Sequence, residues 1–146
     1  MSKSIKHLTV AAVKAIHREV LAAHGGARGI RHEALLESAV AAPHATRMGQ
    51  PLISDPIEIG AAYLFYLCRN HPVVDGNKRT ALAACLVFLE SNDLLPNAKL
   101  RAEEWEAFVV DVAASRLDRK ETTARLRKLL KQVGRARSSN LFEMFS

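Results

Sequence analysis

Two stretches of this chain, roughly 56–69 and 80–89, are apolar or aromatic on most sides of a helix, and no other feature constrains the fold as much. The first carries Ile59, Ala62, Tyr63, Phe65, Tyr66 and Leu67; the second runs Thr-Ala-Leu-Ala-Ala-Cys-Leu-Val-Phe-Leu from Thr80. A helix with no polar face has to be enclosed by other elements, so these are expected to be two central helices joined by the loop 70–76. The first has a strong start, with Asp55 as cap, Pro56 at the first helical position and Glu58 at the third, from where it is expected to reach back to the cap. Amphipathic helices are predicted around the pair: about 8–23 (Leu8, Val13, Ile16, Val20, Leu21), Glu33 to Ala42, about 102–115 around Trp105 and Phe108, and about 120–133 around Leu126 and Leu129. Gly25-Gly26 closes the first of these and Pro43 the second. Residues 43–54, with Pro43, Gly49 and Pro51 and no apolar period, are expected to form a loop of about a dozen residues, long enough to act as a flap over a site.

The chain therefore reads as all-α and bundle-like. With 146 residues, 49% of them hydrophobic, it can bury one core. There is no internal repeat and no linker before residue 134, which divides it into a domain, 1–133, and a tail, 134–146. The tail's apolar end, Leu141, Phe142, Met144 and Phe145, either docks on the body or meets a partner. No apolar run approaches the roughly 20 residues that cross a bilayer. The apolar residues near the start are broken by Lys14, His17 and Arg18, unlike a signal-peptide core, so the cytoplasm is the expected compartment. Cys68 and Cys85 lack the spacing of a zinc or redox motif and read as buried small hydrophobes. The net charge of +6 is a C-terminal feature: residues 1–115 balance at 12 basic and 12 acidic, whereas 116–137 hold nine basic residues against Asp118 and Glu121. No aromatic residues interleave with these charges, so a solvated helix face is expected and no direct nucleic-acid partner.

Chemistry concentrates in His71-Pro-Val-Val-Asp-Gly-Asn-Lys-Arg79. Asn77, Lys78 and Arg79 open a buried helix, where unbonded N–H groups and the positive end of the helix dipole attract an anion, and phosphate above all. Gly76 lets a ligand approach the backbone, and the two cations add charge that a phosphate would satisfy. His71 can take a proton near neutral pH, and Asp75, four residues on, can hold magnesium. Taken singly, a loop histidine is usually a surface residue and Asp-Gly before a helix is usually a turn; convergence within nine residues is what points to function. Competing motifs fail. The Gly25-Gly26-Ala-Arg-Gly29 loop lacks the Gly-Lys-Ser/Thr of a phosphate loop and reads as a connector, while His32-Glu33 lacks the second histidine of a zinc-protease helix.

The run His-Pro-Val-Val-Asp-Gly-Asn-Lys-Arg-Thr-Ala-Leu resembles the signature of the Fic/Doc superfamily, and specifically its death-on-curing (Doc) toxin branch. The resemblance extends through His17…His24-Gly-Gly-Ala-Arg-Gly-Ile, the Asp-Pro helix start, Phe88-Leu-Glu-Ser-Asn and the closing Leu-Arg-Lys-Leu helix, covering roughly residues 7–132. It implies a Fic-type helical fold, His71 as general base on a target hydroxyl, Asp75 as the magnesium ligand, and Gly76, Asn77 and Arg79 on the phosphates of ATP. Members that transfer AMP have glycine where this chain has Lys78 and a further arginine where it has Leu82. Doc kinases carry the lysine, so transfer of the terminal phosphate is expected, with Lys78 at the anion pocket. By family analogy the target is elongation factor Tu and the result is arrest of translation. The alternatives are an AMP-transferase or a degenerate Fic scaffold that only binds a partner. Val73 departs from the family's usual phenylalanine, and Gly76 from the alanine common in Doc toxins. The resemblance further implies a small Phd-like antitoxin as partner. Ser139-Asn-Leu-Phe-Glu143 fits the core of the inhibitory helix of some Fic enzymes, which would make the inhibitor part of the chain itself.

Overall fold

The expected all-α architecture is what the structure contains; it is a computed structural model that describes residues 4–132 and 141–145. Its helices are α1 (Val10–His24), α2 (Glu33–Ala41), α3 (Pro56–Asn70), α4 (Asn77–Ser91), α5 (Ala102–Ala113) and α6 (Arg119–Leu130). The two all-round apolar stretches are the central pair, α3 and α4, which pack on each other more extensively than any other elements. Gly60 allows this close approach, since a Cβ there would stand 3.1 Å from the Leu89 side chain. Around them α1, α2, α5 and α6 turn Val13, Ile16, Val20, Leu36, Trp105, Phe108, Leu126 and Leu129 inward, and all of these are buried. No helix among the described residues is long and apolar enough to cross a membrane.

Local capping explains the boundaries. Thr9 accepts from Ala12 N–H, so α1 begins at Val10 rather than at Leu8. Asp55 accepts from Ile57 N–H as expected, but Glu58 does not return to the cap. It pairs instead with Arg119 at 3.5 Å, because α6 lies within reach and supplies a full charge. The reciprocal capping box stands at Asp118 and Glu121, opening α6.

The stretch 43–54 is more ordered than the expected loop. A 3-10 turn, Ala42–His44, takes in Pro43, and a two-stranded antiparallel hairpin follows, β1 (Thr46–Arg47) and β2 (Gln50–Pro51), with Thr46 opposite Pro51. Met48 and Gly49 both have positive φ, 53° and 79°, as a two-residue mirror-image turn demands. Met48 stands 95% exposed at its tip.

Four arginines of the basic C-terminal block are paired within the fold. Arg116 and Arg125 both bond Asp111, Arg119 pairs with Glu58, and Arg127 with Asp55. Arg116 holds the Asp111 carboxyl below its usual range by hydrogen bonding, and Arg125 adds to the effect. The arginines thus tie α6 to α3 and α5 rather than forming only a solvated face. Arg135 and Arg137 lie outside the described residues.

The segment before α1 is pinned along the central pair. Asn92 exchanges hydrogen bonds with the Lys6 backbone. The buried Tyr63 hydroxyl accepts from Leu8 N–H at 3.0 Å and lies 3.0 Å from Nδ1 of His7, to which its O–H can then donate. The His7 ring stacks on His44 at 3.9 Å. Burial, and secondarily the neighbouring His44, lower the pKa of His7 from 6.5. The folded state therefore favours the neutral ring, so the stability this arrangement contributes is present above pH 6.5 and is lost as pH falls below it. The thermal midpoint is expected to drop between pH 7 and 5, and less steeply in His7→Gln; identical pH profiles for the two proteins would contradict this.

Candidate functional site

From Pro72 to Gly76 the loop between α3 and α4 is held residue by residue. His71 ends α3 in the left-handed conformation, φ 46°, a region that histidine enters more readily than most residues, and its side chain is exposed. The Pro72 carbonyl accepts from Arg31 N–H at 2.8 Å and His32 N–H at 3.1 Å. Val73 is buried beneath the loop and forms an antiparallel bridge with Ile30. Val74 N–H donates to the Gly29 carbonyl at 3.0 Å, leaving its side chain half-exposed. Asp75 is caught on three sides: its carbonyl by His17 Nε2 at 2.8 Å, Oδ1 by Gly76 N–H at 2.9 Å, and Oδ2 by Ala27 N–H at 3.1 Å.

The segment 25–29 is therefore more than a connector. Gly26, at φ 128°, is so close to Asp75 that a Cβ would stand 2.8 Å from Oδ2. Glycine is required there for both backbone and space. His17, Gly26, Ala27 and Gly29 are the residues of this site that sequence reasoning left without a role. Two signals in the sequence mark them: the family resemblance runs through His17 and the 24–30 segment, and His17 is a polar residue on the inward stripe of Val13, Ile16 and Val20.

At the start of α4, Gly76 is the cap residue with φ 80°, a left-handed position that accounts for glycine on backbone grounds alone. No side chain caps this end, so the first amides of α4 keep their capacity for an anion. Asn77 serves the loop instead of pointing outward: its Oδ1 accepts from Val73 N–H at 3.0 Å and its Nδ2 donates to the Val73 carbonyl at 2.9 Å. The Lys78 and Arg79 side chains are exposed and reach toward α5 and the C-terminal turn Leu141–Phe145. There, with Leu82, Glu106, Val109, Val110, Met144 and Phe145, they line a cavity of about 130 Å³. Leu141 and Phe145 are buried, and the turn packs against α1. Ser139, the first position of the Ser-x-x-x-Glu pattern, lies outside the described residues.

Other candidates resolve into structure. Burial pushes the Cys68 thiol up to about 12 and Cys85 higher still, so neither is a thiolate nucleophile near neutral pH. Glu33, beside His32, forms an ion pair with Lys14 at 2.6 Å.

In this mainly helical domain, then, two central helices are joined by a clamped loop that sets a carboxylate beside an uncapped, cation-flanked helix start. The chain belongs to the Fic/DOC family, which its residues 7–89 match. Within that family it is similar to the Doc branch. It is 38% identical over 104 residues to the protein "Toxin Doc" of Mycolicibacterium smegmatis, spanning 71% of this chain and 80% of that one. It is 32% identical over 88 residues to "Protein kinase doc" of Escherichia phage P1, covering 60% and 69% of the two chains.

Proposed function

We propose that this protein is the toxin of a toxin–antitoxin pair and transfers the γ-phosphate of ATP to a hydroxyl of a target protein, elongation factor Tu by family analogy, so arresting translation. The observation that carries the reading is the uncapped start of α4 with Lys78 and Arg79 beside it, joined by one short loop to an exposed histidine. Three groups supply what a phosphate needs: the backbone N–H groups following Gly76, the Lys78 ammonium and the Arg79 guanidinium. His71 takes the proton of the attacking hydroxyl; the hydroxyl oxygen bonds to the γ-phosphorus as the bond to the bridging oxygen breaks, and ADP leaves with those electrons.

Asp75 suits a magnesium ion in its donor chemistry. Each of its oxygens accepts one backbone N–H and retains lone-pair capacity, and its side chain is exposed. A magnesium ion at this carboxylate would complete its coordination with the nucleotide's phosphates and water. Such an ion would neutralise charge on those phosphates.

Lys78 favours the kinase reading over AMP transfer. Its side chain, with Leu82, lines the space flanking α4 that a glycine and a second arginine would leave open and positive. Gly76, shared with the AMP-transferases, is explained by its φ and lends them no support. A Phd-like antitoxin would be the partner. The test is label transfer with magnesium and a bacterial lysate: ATP labelled at the γ-phosphate is expected to label a target, whereas label arriving only from the α-phosphate would establish the AMP-transferase. Neither label transferring, with partner binding retained, would favour the binding scaffold.

A further inference from the structure

His17 is an anomaly on an otherwise apolar face. It is 3% exposed, one of three buried polar or charged residues among those described, and it shares the inward stripe of α1 with Val13, Ile16 and Val20. An imidazole there forfeits its hydration, and a leucine would fill the same space without that loss, so packing alone does not account for it. What it makes is a single long-range bond, from Nε2 to the Asp75 carbonyl 58 residues away at 2.8 Å. A carbonyl only accepts, so Nε2 must carry the hydrogen.

We propose that His17 is a positioning residue that fixes the direction of the Asp75 carboxylate. Asp75 is followed by Gly76 in the left-handed region, a backbone that several neighbouring conformations could replace. Holding the Asp75 carbonyl from below stops the peptide plane between 75 and 76 from rotating. The carboxylate then stays against Ala27 N–H and Gly76 N–H, where Gly26 leaves room for it. The loop is thus registered to α1 at the point where orientation matters for a ligand. The consequence for a metal ion rests on the reading of Asp75 given above; the consequence for the loop does not.

The experiment compares His17→Leu, which keeps bulk and loses the donor, with His17→Gln, whose amide can place a donor near the position of Nε2. Amide exchange is followed by NMR on the full chain without ligand at Ala27 and Gly76, the two N–H groups that the carboxylate accepts. Val13, Ile16 and Val20 serve as reporters of α1 itself. In His17→Leu, Ala27 and Gly76 are expected to exchange about five-fold faster relative to the α1 reporters, the scale of one lost neutral hydrogen bond, with His17→Gln within about two-fold of the parent. Unchanged ratios in His17→Leu, or His17→Gln behaving as His17→Leu, would overturn the proposal, since a merely structural role loosens α1 and loop together. Should His17→Leu not fold, His17→Asn, whose amide is too short to reach the carbonyl, takes its place with the same expected outcomes. Binding of manganese with ATP, followed by the signal of free manganese, is expected to weaken several-fold in the donor-less variant. An Asp75→Asn protein that binds manganese and ATP as the parent does would refute the metal reading, and the exchange ratios would still decide His17.

Discussion

His71→Ala is expected to slow phosphate transfer by about 10²–10⁴-fold, the range a positioned acid–base group contributes, while leaving the fold intact. The side chain is exposed at the end of α3 and buries little, so its loss should not disturb the core. Its backbone is the one complication, since φ is 46° and alanine lacks the tolerance for that region that histidine shares with asparagine. His71→Asn serves as the control that keeps the conformation and removes the base. Both variants should lose transfer and growth arrest together and retain the thermal midpoint of the parent within a few degrees. Arrest of growth by either variant at the parental level would show that proton abstraction by His71 is not part of the mechanism.

Gly26→Ala is expected to have the next largest effect, from a position that touches no substrate. At φ 128° any side chain strains the backbone, and here the new methyl would also stand 2.8 Å from Asp75 Oδ2 and 3.0 Å from the Leu21 side chain. Backbone strain of this kind costs roughly 1–3 kcal/mol. In a domain of this size that is a loss of several degrees in thermal midpoint, at about 2–4 °C per kcal/mol. Displacement of the carboxylate should lower transfer by ten-fold or more beyond what instability explains, since small misplacements of a positioning group are amplified in rate. The control is Gly25→Ala: φ there is 95°, but nothing lies within 4 Å of the added Cβ. It should lose stability through strain and keep activity per folded molecule. Equal activity losses in the two variants would mean that Asp75 is not the group being moved.

The contrast between α3–α4 and the hairpin shows which features a sequence declares. Central helices announce themselves because helical period and all-round apolarity are local, and the cap of α3 lies within two residues, Asp55 to Ile57. The hairpin looks like a loop in the sequence because strands of two residues carry no period, and its turn uses Met48 where a positive φ more often selects asparagine or glycine. Likewise the basic block was legible as composition, but its pairing with Asp55, Glu58 and Asp111 depended on where α6 came to rest.

The loop 71–79 follows the same division. That a proton acceptor, a carboxylate, a glycine and two cations come together is a property of nine consecutive residues, so the chain order alone delivers the chemical groups and even the family. Their orientation is not written there. The Asp75 carboxylate is aimed by Ala27 N–H, by the space at Gly26 and by His17, between 48 and 58 residues earlier in the chain. Asn77, which the motif suggests for a ligand, turns its amide inward onto Val73. A short segment can carry reactive groups, but it can order them only against a surface outside itself, because its own backbone leaves the directions of those groups free until distant partners remove that freedom.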